Sequence, residues 1–283
     1  MKIKLKQSPV ILILLFFVSS LSASGNWPQF RGPENNMIAP GSGYPIEWND
    51  SLNVKWTVDL IGESWSSPII YGDKIFITTA LKEETASPVS EQADETLVKD
   101  VWRMELCCFD LKSGRELWRQ TAFHGHPTIQ KHARSTYACE SPVTDRKRVV
   151  AYFGMMGVYC YDLNGRLLWQ QDMGVYNTRN NWGTGSSPAL YQGTLFIQVD
   201  NEHQSFLVAL DAATGREKWR ATYDDKTNYS TPVIWENAAG IELVTVGKTA
   251  RSFDPKTGSL NWELKIGGQM AVPSPVYNND FIY

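Results

Sequence analysis

The chain has 283 residues, 42% of them apolar and 20% charged, so it can build a packed core and is not disordered by composition. Its 27 Lys and Arg against 30 Asp and Glu leave a net charge of −3, which excludes the basic excess of a nucleic-acid-binding protein. Eleven Trp, 12 Tyr and 11 Phe need a structural account, and their order along the chain supplies one.

Lys2, Lys4 and Lys6 precede an unbroken apolar run, Val10 to Val18, and small residues follow at Ser22, Ala23 and Ser24. This pattern predicts a secretory signal peptide over residues 1–24, cut after Ser24. The run is too short to cross a bilayer, which takes about 20 apolar residues in a helix. No Cys stands near the cut to carry a lipid. The expected mature chain is acidic, periplasmic or secreted, with no membrane span after cleavage. Residues 25–53 read as an N-terminal extension, and the repeats occupy residues 54–283.

The dipeptide Ser/Thr-Pro recurs before short apolar runs at Ser67-Pro68, Ser141-Pro142, Ser187-Pro188, Thr231-Pro232 and Ser274-Pro275. Successive Ser/Thr are 74, 46, 44 and 43 residues apart. A second motif follows each of the first four. It runs from Asp110 through Gly114 to Trp118, from Asp162 through Gly165 to Trp169, from Asp211 through Gly215 to Trp219, and from Asp254 through Gly258 to Trp262. A period of this length fits β-propeller blades of four strands. In the third unit the strands are expected at 188–191, 195–199, 206–210 and 218–222, with Gln192-Gly193 as a turn. The Asp-x-x-Thr-Gly segment is a hairpin turn, in which Asp accepts backbone N–H bonds and Gly takes positive φ. Trp118, Trp169, Trp219 and Trp262 each offer a large flat surface that one blade cannot cover and a neighbour can. Trp56, in Val54-Lys55-Trp56, reads as the outer strand of a preceding repeat. The long first spacing comes from residues 82–100, a polar, acidic insertion between the second and third strands of the first blade.

The four in-phase copies resemble the tryptophan-docking motif of PQQ-like (pyrroloquinoline-quinone repeat) β-propellers over residues 54–283. Asn26 to Pro33 (NWPQFRGP), Ser135 to Ala138 and Val199 to Glu202 also look like exported bacterial members of that group. The resemblance implies an all-β propeller of four-stranded antiparallel blades. That fold hosts quinoprotein alcohol dehydrogenases and non-catalytic proteins such as BamB, the outer-membrane assembly lipoprotein, and the lipidation Cys of BamB is absent here. Family rings have seven or eight blades. This chain reads as an incomplete ring of four full blades and part of a fifth, C-terminally truncated at Tyr283 rather than an open arc closed by self-association, because an arc would expose an apolar face and unpaired edges.

Several familiar catalytic signatures are absent: no GxGxxG, Walker A loop, HExxH or GxSxG occurs. Aromatic and polar residues gather just before the Ser/Thr-Pro positions: Trp65, Arg134, Tyr137, Asn180, Asn181, Trp182, Asn228 and Tyr229. Loops leading into the first strands crown one face of a propeller, so these residues form a candidate ligand funnel, set against ordinary loop packing. His124, His126 and His132 could bind a metal through imidazole, but Gly125 and Pro127 favour a loop of solvated histidines. Asp200, Asn201 and Glu202 carry oxygen ligands suited to calcium, yet adjacent strand residues point oppositely, which favours a turn with a solvated acid. Cys107-Cys108 invites comparison with the vicinal disulfide of some quinoprotein dehydrogenases. Cys160, Ala209 and Ser252 stand where Cys108 does in the other units, so the place needs a small side chain and a buried thiol suffices. No CxxC spacing suggests structural zinc, and no metal site is assigned.

Every repeated residue has a structural role and no catalytic set is matched. The first reading is therefore an exported, non-catalytic scaffold that binds protein partners or a small-molecule ligand. The alternative is a quinoprotein dehydrogenase, for which the resemblance implies PQQ and calcium.

Overall fold

The structure, a computed structural model, describes residues 25–39, 41–83 and 98–283. The expected signal peptide, residues 1–24, and most of the acidic insertion lie outside the described residues. Among the described residues, sixteen strands form four antiparallel meanders. Blade 1 holds β1 (Ile69–Tyr71), β2 (Lys74–Lys82), β3 (Trp102–Asp110) and β4 (Glu116–Gly125). Blade 2 holds β5 (Val143–Thr144), β6 (Arg148–Tyr152), β7 (Val158–Asp162) and β8 (Leu167–Gln171). Blade 3 holds β9 (Ala189–Tyr191), β10 (Thr194–Val199), β11 (Ser205–Asp211) and β12 (Glu217–Tyr223). Blade 4 holds β13 (Val233–Asn237), β14 (Gly240–Thr245), β15 (Thr249–Phe253) and β16 (Leu260–Lys265). The first strands of successive blades are neighbours, β1 beside β5, β5 beside β9 and β9 beside β13, so they line the axis. The middle strands are apolar on both faces and supply the core, as β10 and β11 show with Leu195, Ile197, Leu207 and Val208 buried. Residues 276–283 form a hairpin in which Val276 and Tyr283 exchange backbone bonds of 3.1 and 2.8 Å. Among the described residues no helix is long and apolar enough to cross a membrane.

Each blade meets the next through an indole. Trp56 Nε1 donates to Leu111 O, Trp118 to Leu163 O, Trp169 to Ala212 O and Trp219 to Pro255 O, each at 3.1 Å. The ring lies flat on the glycine of the accepting turn. A Cβ added at Gly114 would come within 2.6 Å of Trp56, at Gly165 within 2.9 Å of Trp118, and at Gly215 and Gly258 within 2.6 Å of Trp169 and Trp219. These glycines also have φ between +72° and +89°, so both conformation and space require the missing side chain. Trp262 behaves differently from the expected staple: its Nε1 donates at 2.6 Å to Glu242 Oε2 within its own blade.

The turn itself is held by its aspartate. Asp211 Oδ1 accepts from Ala213 N, Thr214 N and Thr214 Oγ1 at 2.9–3.0 Å, and Asp110 repeats this with Lys112 and Ser113. In the shorter second copy Asp162 serves Asn164 N and Arg166 N, and in the fourth Asp254 serves Lys256 N and Thr257 N. The Thr214 hydroxyl, then its N–H, holds the Asp211 carboxyl below the usual range, against a smaller opposing effect of burial.

Cys108, Cys160, Ala209 and Ser252 stand directly across the ladder from Trp118, Trp169, Trp219 and Trp262, and a β-bulge follows each of them. A small residue there leaves room beside the indole, and the bulge turns the outer strand so that the ring can reach the next blade. Burial pushes the Cys107 thiol up to about 11 and the Cys108 thiol to about 12, and Cys107 Sγ faces Thr79 Oγ1 at 3.8 Å. Both belong to the packed sheet, and both are free thiols.

A second set of contacts explains the Ser/Thr-Pro repeat. Ser67 N donates to Ser141 Oγ, Ser141 N to Ser187 Oγ, Ser187 N to Thr231 Oγ1 and Thr231 N to Ser274 Oγ, all at 2.9–3.0 Å. Each hydroxyl thus satisfies the N–H of its counterpart one blade earlier, where the first strands crowd together. The following Pro fixes φ and keeps the hydroxyl-bearing residue extended.

Two expected outcomes follow from these geometries. Gly215→Ala, which meets Trp169 at positive φ, costs about 2 kcal/mol or more in denaturant unfolding. Gly193→Ala has a similar φ but nothing within 4 Å, and costs about half as much. Ser187→Ala leaves the Ser141 N–H buried without an acceptor and costs about 1–3 kcal/mol, whereas Ser187→Thr, which keeps the hydroxyl, recovers most of that loss.

Candidate functional site

The segments that precede the Ser/Thr-Pro residues form a rim of linked connections at the end of the blades opposite the β1–β2 turn. Trp65 N and Ser66 N donate to Ala138 O, His132 N to Trp182 O, Arg179 N to Thr227 Oγ1 and Tyr229 N to Ala271 O, at 2.7–3.2 Å. Each bond links one blade's connection to the next, so the rim backbone is set by the ring beneath it.

The structure divides the predicted funnel residues. Tyr137 is buried, with its hydroxyl on Ile129 O at 2.8 Å and its ring edge-on to Trp102. Trp182 is half-buried and meets the His132 ring edge-on at 4.9 Å. Trp65 is 64% exposed, and Arg134, Asn180 and Asn181 are exposed as well. Asn228 is buried, and Tyr229 packs its ring on Gly185 with its hydroxyl buried and unpartnered. Of this set, only Tyr137 and Trp182 share an enclosed cavity, together with Lys131, Thr136, Glu140 and Thr184.

Glu140 is the functional candidate that the repeat pattern conceals. It stands one residue before Ser141, where Ser66, Ser186 and Ser230 stand in the other blades. A single Glu among serines is the signal that the sequence offers. Thr184 Oγ1 donates to Glu140 Oε1 at 2.6 Å, and Thr78 Oγ1 donates to the Glu140 carbonyl. A side chain at Gly154 would displace the Thr184 hydroxyl that serves the acid. Burial pushes the Glu140 carboxyl up to about 7, against the opposing Thr184 hydrogen bond. Lys131 does not pair with it: its Nζ donates to Ser135 O at 2.6 Å and lies over the Trp102 ring. The cavity has a free volume of about 10 Å³, the space of one water. A cavity of that size does not enclose an organic substrate.

The second and third candidate clusters resolve into separate partners. His124 is on strand β4 rather than in a loop, paired with Arg103, and its Nε2 lies 3.0 Å from Glu83 Oε2. The extension of β3 and β4 beyond a bulge at Met104/Glu105 carries the strand that far. His132 Nδ1 accepts from Arg134 N. Asp200 is buried, which corrects the expectation of a solvated acid: it accepts from Tyr223 Oη, Gln198 Nε2 and Asn228 Nδ2 at 2.7–3.1 Å. Burial raises its carboxyl to about 6. Asn201 Oδ1 forms a turn by accepting from His203 N and Gln204 N, and Glu202 Oε1 accepts from Thr227. Nearby, Asp225 pairs with Arg251 at 3.0 Å in the seam between blades 3 and 4. Burial pushes the Asp225 carboxyl up, but Arg251 and the Lys226 and Thr249 N–H donors outweigh it and hold the group below the usual range. Among the described residues no three His, Cys, Asp or Glu side chains converge as metal ligands.

A tricyclic quinone with calcium needs a flat slot and converging oxygen ligands. The Glu140 cavity takes one water, and the reduced Cys107 and Cys108 sit inside a blade. The residues gathered here do not fit that pair.

Residues 154–282 match the family profile described as outer membrane protein assembly factor BamB. No curated protein matches the chain in sequence. Among solved structures, a quinohemoprotein alcohol dehydrogenase from Pseudomonas putida HK5 aligns over 86% of this chain and 40% of its own, with 13% identity and a TM-score of 0.53. The quinohemoprotein alcohol dehydrogenase of Comamonas testosteroni aligns over 89% and 43%, with 11% identity and a TM-score of 0.54. A europium-containing methanol dehydrogenase aligns over 86% and 58%, with 11% identity and a TM-score of 0.50. The chain spans about half the length of these structures, and at such identities the likeness is one of fold.

The Glu140 environment sets a pH dependence. Its folded carboxyl is raised above the ordinary value of 4.5, so its contribution is complete below about pH 4.5 and is lost as pH rises through about 7. Glu140→Gln is expected to match wild type in unfolding free energy near pH 4 and to exceed it by up to about 3 kcal/mol at pH 8. Asp200 titrates in an overlapping range but is common to both proteins, so the difference between the two pH profiles reports Glu140 alone.

Proposed function

We infer that this PQQ-like repeat β-propeller serves as an exported, non-catalytic scaffold whose rim of blade connections binds a partner protein. The observation that carries the reading is the use of the repeated residues. Trp56, Trp118, Trp169 and Trp219, the glycines they cover and the Ser/Thr of the first strands are taken up by blade-to-blade contacts, the Asp of each turn holds its own turn, and Glu140 faces a space of one water. What remains accessible is a rim of mixed character, with Trp65, Arg134 and Asn181 exposed beside Ile61, Val175 and Val272 on a backbone bonded from blade to blade. A surface that mixes polar and apolar groups around one protruding aromatic suits protein recognition, in which aromatic anchors contribute most of the affinity. The partial match to the BamB profile supports the same direction, since a protein described as an assembly factor acts by binding. Periplasmic or secreted placement agrees with the leader pattern of residues 1–24.

The dehydrogenase alternative rests on the fold shared with the quinohemoprotein enzymes, and a fold by itself does not carry chemistry. Calorimetric titration of the chain with PQQ and Ca²⁺ separates the two, after a cooperative thermal transition has shown the sample to be folded. The scaffold reading predicts no saturable heat. Stoichiometric, saturable binding would overturn it in favour of the enzyme.

A further inference from the structure

The segment Asn26–Pro33 has no place in the blade repeat, yet it bonds to blades 1, 2 and 3 and to the fifth unit. Asn26 Oδ1 accepts from Gly72 N, in the turn after β1, at 2.9 Å. Trp27 exchanges two backbone bonds with Ile70 of β1, both 2.8 Å. Pro28 O accepts from Thr144 N of β5 at 2.9 Å, and Gln29 Oε1 accepts from Leu190 N of β9 at 3.1 Å. Ile70, Thr144 and Leu190 are equivalent positions, each three residues after the Ser/Thr of its blade. Successive residues 27, 28 and 29 therefore serve the same amide in successive blades. Beyond them, Arg31 Nη1 donates to Ser274 O and Pro275 O at 2.8 and 2.7 Å, and the Tyr277 hydroxyl donates to Glu34 O.

The physical need for such a segment is plain. A first strand pairs with its blade on one edge only, and its other edge presents N–H and C=O groups to the axis. The segment's own shape is locked for the task. Arg31 and Gly32 have φ of +64° and +88°, which reverse the chain. A Cβ at Gly32 would lie 2.7 Å from the Trp27 ring, so the indole folds flat on that glycine as the blade indoles do on theirs. Pro28 offers a carbonyl and needs no acceptor for an N–H.

We propose that Asn26–Asn36 is an axial clasp: it caps the inner strand edges of blades 1 to 3 on the side of the β1–β2 turn and ties them through Arg31 to the fifth unit. A partner that approaches along the axis then meets the opposite end, the rim that carries Trp65, Arg134 and Trp182. The clasp stands independently of what the rim binds.

Residue-resolved amide hydrogen exchange on the full chain tests this, comparing wild type with Gln29→Leu and Arg31→Met. In wild type the Ile70, Thr144 and Leu190 amides are expected to exchange within about tenfold of the Ser141 and Ser187 amides of the same blades. Gln29→Leu is expected to speed exchange at Leu190 by about tenfold or more, with Ser187 unchanged. Arg31→Met, which releases the far end, is expected to speed Ile70 and Thr144 together. Exchange of these three wild-type amides at the rate of the exposed 41–53 segment would overturn the clasp. So would an Arg31→Met protein in which all three keep wild-type rates.

Discussion

An indole lying flat on a glycine is the contact on which the rest of this structure depends. A four-stranded blade has two apolar faces and cannot cover either alone, so the ring exists only if each blade covers the next. Trp169 on Gly215 does this with one side chain: the ring buries a large area, its N–H satisfies the Ala212 carbonyl, and the absent Cβ lets the two backbones approach. Removing such a side chain from a packed site costs about 3–5 kcal/mol, against about 1 kcal/mol for a typical hydrogen bond. The indole contacts thus contribute more to joining the blades, and the Ser/Thr hydroxyls that link the first strands refine the register near the axis. Trp27 on Gly32 uses the same contact outside the repeat.

That arrangement has a functional consequence. A rim whose loops are bonded blade to blade cannot move one connection without moving its neighbours, as the bonds from Trp65 to Ala138 and from Tyr229 to Ala271 show. A partner bound at the rim, as proposed, would meet a preformed surface and lose little conformational entropy. The buried acids lie just below that surface. Glu140 and Asp200 are both raised by burial, and both are held by hydroxyl or amide donors rather than by a cation. Their ionisation costs stability near neutral pH, and this cost is local to the seams between blades.

Much of the architecture is legible in the residues. The four Asp-to-Trp copies and the Ser/Thr-Pro spacing predict four blades, and the strands expected in the third unit differ from those observed by about one residue at their ends. The small residue opposite each Trp is visible as Cys108, Cys160, Ala209 and Ser252. Less legible is anything that depends on which blade a side chain reaches. The Ser/Thr hydroxyls look like punctuation in the sequence, but their bonds cross 43 to 74 residues. The run Asp200-Asn201-Glu202 reads as a turn with a solvated acid because adjacent residues point oppositely, yet Tyr223 and Asn228 close over Asp200 from later in the chain. Glu140 is hidden because Ser141-Pro142 beside it fits the repeat so well. The funnel of eight residues divides into two layers, a buried one that includes Tyr137 and Asn228 and an exposed one that includes Trp65 and Arg134. A sequence places these residues on one face but does not assign their depth.

The most direct measurement is the coupling between an indole and its glycine. Gly215→Ala is introduced into wild type and into Trp169→Ala, and the four unfolding free energies are compared. If the indole on the glycine turn joins the blades, the new methyl loses its clash when the ring is gone. Gly215→Ala then costs at least about 1 kcal/mol less in the Trp169→Ala background than in wild type. Equal costs in both backgrounds would show the two sites to be independent and would contradict the account.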